Sequence, residues 1–165
     1  MRLVSTAALA AMLLLAGCSA PNDAEGWAKH AVSRNRLDEK LAALEKVRAA
    51  KGDRTKAVPY LVEVLKQAPK ARGEAALALG EIGDASAVTP LLDAVDPTAT
   101  DRETIEANRH VADALGALRA REAVPLLLQL TESTDGFTQV AAIDALGRIG
   151  DPAAVDRLVA MATAE

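Results

Sequence analysis

The chain has 165 residues, half of them hydrophobic, a quarter charged and only 2% aromatic. Its 19 Lys and Arg against 23 Asp and Glu give a net charge of −4, which argues against a nucleic-acid partner and against direct binding to anionic headgroups. With Trp27, Tyr60 and Phe137 the only aromatics, the core has to come from Ala, Leu and Val, a composition that suits closely approaching helices better than a sheet.

The first element is an export leader. Met1-Arg2-Leu3 is a charged start, an apolar run follows through Leu13 and Leu14, and Leu15-Ala16-Gly17 leads into a small-residue cleavage site. The run is shorter than the roughly 20 residues a membrane-spanning helix needs, so it is predicted to be removed. Leu15-Ala16-Gly17-Cys18 resembles the bacterial lipobox. The resemblance implies that a diacylglyceryl group joins the Cys18 thiol, that residues 1–17 are cleaved away as a signal peptide, and that the new amino terminus is N-acylated. Two or more acyl chains, at about 0.8 kcal/mol per buried methylene, hold a protein on a membrane where one chain is marginal. Cys18 is the only cysteine, so its lipidation leaves no disulfide, zinc cluster or thiol nucleophile. Ser19 stands where many inner-membrane lipoproteins carry Asp. The periplasmic face of the outer membrane is therefore the favoured location, with the inner membrane or a Gram-positive surface as alternatives. Residues 18–23 form a lipidated tether whose five residues after Cys18 reach less than roughly 20 Å.

From residue 24 to 165 the periodicity is helical. Residues 24–56 read as an N-terminal cap or degenerate repeat, with Leu37, Leu41, Leu44 and Val47 on one stripe before Gly52-Asp53. The chain then repeats itself. Ala57-Val58, Ala87-Val88, Ala123-Val124 and Ala154-Val155 open apolar segments at spacings of 30, 36 and 31 residues. A second marker runs in phase: Ala78-Leu79-Gly80, Ala114-Leu115-Gly116 and Ala145-Leu146-Gly147, each glycine seven residues before the next Ala-Val. Two markers in one register divide the chain into repeats 57–86, 87–122 and 123–153 and a terminal half-repeat 154–165.

Each repeat holds a first helix and a second helix. Val58/Leu61/Val62/Leu65, Val88/Leu91/Leu92/Val95 and Val155/Leu158/Val159/Ala162 give the first helices an i, i+3, i+4, i+7 stripe. The second helices carry Ala75/Leu79/Ile82, Val111/Leu115/Leu118 and Ala142/Leu146/Ile149, with Ala78, Ala114 and Ala145 beside the central Leu. Gly83-Asp84 and Gly150-Asp151-Pro152 supply helix stops and caps. Thr100-Asp101-Arg102-Glu103 has capping-box spacing and places the extra residues of the second repeat in the 96–100 loop and a longer second helix.

These units resemble HEAT repeats, in particular the short class associated with phycobilisome lyases, through Ala-Leu-Gly-x-Ile-Gly-Asp followed by Ala-Val. The resemblance covers residues 57–165 and implies an all-α, right-handed α-solenoid, an armadillo-type superhelix of about four helix pairs. Such repeats carry Arg early in the second helix; Arg72 matches, whereas Asn108 and Gln139 stand at the equivalent places.

Chemistry is sparse. His30 and His110 are followed by Ala31 and Val111, so neither opens the His-Glu metal motif of HEAT-like iron hydroxylases. No phosphate-binding glycine loop, HExxH or GxSxG pattern occurs, and neither a catalytic residue, a metal ligand set nor a cofactor beyond the Cys18 lipid is expected. Asp93, Asp96, Asp101, Glu103 and Glu106 lack the spacing of a calcium loop and read as a solvated loop with helix-terminal acids. The solenoid resemblance points instead to a concave face of second helices and a protein partner. Glu74, Leu77 and Glu81, then Arg109, His110 and Asp113, then Asp144 and Arg148 are the candidate contacts on that face. The expected function is a membrane-anchored, non-catalytic protein-binding or scaffold module of the bacterial cell envelope. An enzyme accessory of the bilin-lyase kind and a small-ligand or metal-binding envelope lipoprotein are the alternatives. The last helix, from Asp151 to Ala164, is expected to pack Val155, Leu158, Val159 and Ala162 back onto the preceding unit. Ala160 and Met161 would then face outward, either as a partner or self-association site or as the scar of a longer chain.

Overall fold

A computed structural model describes residues 21–163, without the side chains of Met161 and Ala162. The leader and Cys18 lie outside the described residues, as does the side-chain reading of Met161 and Ala162. Nine α-helices and no strands occur among the described residues: α1 (Ala24–Ser33), α2 (Leu37–Ala49), α3 (Val58–Leu65), α4 (Pro69–Ile82), α5 (Val88–Asp93), α6 (Arg102–Ala117), α7 (Val124–Leu130), α8 (Gly136–Ile149) and α9 (Pro152–Thr163). The architecture is an all-α solenoid, with α1/α2, α3/α4, α5/α6 and α7/α8 as pairs and α2, α4, α6 and α8 stacked as successive second helices. Among the described residues no helix is long and apolar enough to cross a membrane.

The first helices α3, α5 and α7 are each entered through one tight turn whose last residue is the alanine of the Ala-Val marker. Thr55–Ala57, Ala85–Ala87 and Arg121–Ala123 form these turns, and Ala57, Ala87 and Ala123 are completely buried. A larger side chain would push the turn off the stack, which is why the marker is Ala. The central leucines Leu79, Leu115 and Leu146 are equivalent and buried, as are Ala78, Ala114 and Ala145 beside them.

The marker glycines set the spacing between second helices. A Cβ on Gly80 would lie 2.8 Å from the Cα of Ala114, and one on Gly116 would lie 2.7 Å from the Cα of Ala145. Glycine is needed there because backbone meets backbone across the seam.

Aspartates begin the helices. Asp23, Asp84, Asp101, Asp135 and Asp151 accept backbone N–H bonds from Gly26, Ser86, Thr104, Thr138 and Ala153 at 2.7–2.9 Å. At α6 the capping-box expectation is corrected by one residue: Asp101, not Thr100, is the cap, because a carboxylate there reaches Thr104 N. α4 and α8 stop on left-handed glycines, Gly83 (φ 79) and Gly150 (φ 66). The equivalent residue after α6 is Arg119 at φ 51, the one described non-glycine residue with positive φ.

The residues that depart from the HEAT arginine keep part of its role, a side-chain bond to backbone ahead of their own helix. Arg72 donates to Leu65 O (3.1 Å) and Ala94 O (3.3 Å). Asn108 exchanges two bonds with the Asp96 backbone, donating to its O at 2.6 Å and accepting from its N at 3.2 Å. Gln139 donates to Ser133 O at 2.7 Å. Asn108 and Gln139 tie their helices to the loop just before them, whereas Arg72 ties α4 to the end of α3 and to the residue after α5 in the next repeat.

One packing expectation fails at the carboxyl end. Val155 and Val159 do not pack back onto the preceding unit; both are exposed, and Ala154 (buried) and Leu158 (half-buried) make the contact instead. In the earlier first helices the equivalent residues Val58, Val62, Leu92, Val124 and Leu128 are buried or packed against the core, and no helix follows α9 among the described residues.

Candidate partner-binding surface

The candidate contacts fall on three parallel-stacked helices: Glu74, Leu77 and Glu81 on α4, Arg109, His110 and Asp113 on α6, and Asp144 and Arg148 on α8. Two of them are already engaged within the chain. Arg48 from α2 reaches Glu74 at 3.2 Å and Glu81 at 2.6 Å, and Arg54 adds a contact to Glu81 at 3.6 Å while donating to its backbone O at 2.9 Å. Glu74 and Glu81 therefore bind the first helix pair to the second, with Leu77 half-buried between them.

The α6 residues form a more open group. Arg109 lies 3.6 Å from Glu106 and sits over the Phe137 ring at 6.0 Å, although Phe137 is itself 72% exposed. His110 is half-buried against α4, so that a Cβ on Gly73 would come 2.7 Å from its Nδ1. Burial first, and the Arg109 cation second, hold its imidazole below the usual range, while Glu74, Glu106 and Asp113 pull it up. Burial raises the Asp113 carboxyl, with Asp144 adding to it and Arg148, His110 and Arg109 opposing. Asp144 and Arg148 pair with each other at 2.6 Å, one turn apart on the exposed side of α8.

Two recesses lie along this surface. One of about 230 Å³ between α4 and α6 is lined by Gly73, Glu74, Arg102, Glu106 and His110. Another of about 380 Å³ between α6 and α8 is lined by Arg102, Glu106, Arg109, Asp135 and Phe137. Arg102 and Glu106 border both, and neither was among the sequence candidates, nor was Phe137. Their helix-start positions fall outside the stripe used to choose contacts; an aromatic in a chain with three is the signal that could have found Phe137. A larger recess, about 470 Å³, lies between α3 and α5 around Arg72, Lys66, Asp93 and Asp96, away from the expected surface.

Other charged groups serve the fold. Asp96 accepts from Thr98 N and Oγ1 at 3.0 and 2.7 Å, which holds its carboxyl low, and Asp101 is the α6 cap. His30 accepts from Arg34 Nε at 2.9 Å and meets Trp27 edge-on. Among the described residues no three His, Cys, Asp or Glu side chains gather closely enough to hold a metal ion.

Residues 71–97 match the family described as PBS lyase HEAT-like repeat, and residues 99–165 match HEAT repeats. Both matches are to repeats of the HEAT class. The matched stretches run from early in α4 to the end of the chain, contain all three marker glycines, and leave α1 to α3 before them. No curated protein matches the chain. HEAT repeats form interaction or scaffold modules, and a protein partner is the coarse functional conclusion that the class carries.

Proposed function

We propose that the protein is a lipid-anchored, non-catalytic scaffold of the bacterial cell envelope that presents its row of second helices to a protein partner. The observation that carries this reading is the surface across α6 and α8. Arg102, Arg109 and Arg148 stand among Glu106, Asp113 and Asp144 beside an exposed Phe137, a mixture of signs with an aromatic anchor that suits a protein more than nucleic acid. Lipid attachment rests on the intact Leu15-Ala16-Gly17-Cys18 motif, and the six-residue tether keeps the solenoid within reach of other envelope proteins.

Affinity capture from detergent-solubilised membranes tests the surface. A partner recovered with wild type and lost with the double variant Arg109→Glu, Phe137→Ala supports it; equal recovery with both sinks it. Cys18→Ser tests the anchor: mass spectrometry is expected to find unprocessed, unacylated precursor, and a mature unmodified terminus elsewhere would refute lipidation.

A further inference from the structure

We propose that the end of the solenoid where α1 begins rests on anionic phospholipid headgroups, with Trp27, Tyr60 and the lysines of the α2–α3 loop as the contact. The inference rests on the lipid anchor at Cys18 and deepens that reading. The acyl chains hold the protein at the membrane, and this surface fixes how it stands there.

The net charge of −4 hides a division along the chain. Residues 21–72 hold twelve Lys and Arg against seven Asp and Glu, a net +5; residues 73–165 hold six against sixteen, a net −10. The helices α1, α2 and α3 fall in the cationic part, and every helix from α5 onward falls in the anionic part. Repulsion from anionic headgroups therefore applies to the far repeats and not to the first helices.

The cationic surplus is exposed where the tether enters. Five residues separate Cys18 from α1, so the start of α1 stays within roughly 20 Å of the lipidated residue. The turn Thr55–Ala57 and helix α3 both pack against α1. The loop that leads through this turn carries Lys51 and Lys56, both exposed and neither in an ion pair among the described residues. Lys46, in the last turn of α2, is exposed as well. The acids nearby are held by donors of the chain itself: Asp23 accepts from Gly26 N at 2.7 Å, and Asp53 accepts from Thr55 N and Oγ1 at 2.9 and 2.7 Å.

The aromatics lie at the same end. Trp27 is in the first turn of α1 and Tyr60 in the first turn of α3, and both are half-buried against the core. Lys29 sits over the Tyr60 ring at 5.1 Å and pairs with Glu25 at 2.7 Å. Trp and Tyr settle at headgroup level because one part of the ring is apolar and the other polar, and each lysine beside them adds attraction to an anionic surface. A weak contact suffices, since the tether makes it intramolecular. Antiparallel pairing places the loops within each pair at the opposite ends of the helices, so the acidic α5–α6 and α7–α8 loops, with Asp96 and Asp135, stand away from the membrane.

Trp27 is the only tryptophan and reports the contact directly. The full-length lipidated protein is reconstituted in vesicles of phosphatidylcholine, with or without phosphatidylglycerol, that contain a lipid with a nitroxide on its headgroup. Quenching of Trp27 emission is expected to be greater with phosphatidylglycerol. The excess should fall by about half or more at about 1 M salt, where the Debye length is about 3 Å. The double variant Lys51→Glu, Lys56→Glu should lose it to the same extent, while Arg157→Glu on α9 leaves it unchanged. Thermal melts check that the double variant is folded, and Lys46→Glu repeats the test on α2. Flotation with the vesicles reads the anchor separately. Protein that floats, but whose Trp27 is quenched no more with phosphatidylglycerol than without it, or equally after charge reversal, overturns the inference and leaves the anchor standing. Protein that does not float, with Cys18 unmodified in mass spectrometry, sinks the anchor and this inference with it.

Discussion

Gly116 and Gly147 hold the same place in successive repeats, but an added methyl would strike the Ala145 backbone at the first and meet only open space at the second. The same sequence marker therefore encodes a backbone contact between α6 and α8 and an open position on α8, the last second helix among the described residues. In a stack of repeats, periodicity identifies the face that is built for a neighbour, and only the neighbour's presence makes that face core.

The largest expected contrast is between the buried leucines and the open valines. Leu115→Ala, and equally Leu79→Ala or Leu146→Ala, should cost about 2 to 5 kcal/mol in urea unfolding. Val159→Ala should stay within about 0.5 kcal/mol, because its side chain is already more than half exposed. A comparable loss at Val159 would mean that the end of the solenoid is covered after all.

The glycines should separate by sign. Gly80→Ala and Gly116→Ala are expected to destabilise by about 1 to 3 kcal/mol, since helices in contact must move apart. Gly147→Ala should stabilise by up to about 1 kcal/mol, the ordinary gain of alanine over glycine within a helix. Two signs of the same direction would refute the close-approach account of the seams. Arg119 gives a third backbone test. Its left-handed conformation is the one that Gly83 and Gly150 adopt in the neighbouring repeats, so Arg119→Gly should raise stability by roughly 0.5 to 1 kcal/mol in thermal melts.

Smaller effects are expected from charge. Arg48→Ala removes the ion pairs to Glu74 and Glu81, both partly solvated, and should cost less than about 1 kcal/mol, a loss that salt reduces in advance. His110 sharpens the comparison through pH. A histidine held below its ordinary range when folded leaves stability intact above about pH 6.5 and erodes it as pH falls through that value, because the unfolded chain takes up the proton first. His30, depressed by burial and Arg34, acts with the same sign. Asp113, raised by burial, acts oppositely: its cost at neutral pH is relieved on acidification, as the carboxyl protonates. His110→Gln should therefore lose less stability than wild type between about pH 7 and 5, with His30 and, in the opposite sense, Asp113 contributing to the slope that remains.

Most of the architecture could be read from residue spacing. The Ala-Val and Leu-Gly markers located both helices of each repeat, because close stacking demands Ala57, Ala87 and Ala123 at the turns and Gly80 and Gly116 at the seams. Asn108 and Gln139 looked like losses of an arginine ladder, yet their amides reach the same preceding loop, which residue identity alone did not reveal. Val155 and Val159 were read as inward because periodicity marks a stripe without saying whether anything lies over it. On the candidate surface, the clustering of Arg109, His110 and Asp113 follows from their adjacency on α6. The engagement of Glu74 and Glu81 by Arg48 did not show, since it joins residues 26 and 33 positions apart through a helix outside the clear repeat register.

The thin attachment of α9 has a consequence for the order in which the chain opens. Among the described side chains of that helix only Ala154 is fully buried and Leu158 half so, with Arg157 reaching back to Glu132 at 3.6 Å. Releasing it exposes little apolar surface and disturbs no other helix pair. Amide hydrogens of Pro152–Thr163 should therefore exchange with solvent well before those of α4 and α6, with protection rising inward from that end. Fraying would then begin at α9 and stop at α8, whose Ala142, Ala145 and Leu146 are buried against the rest of the stack.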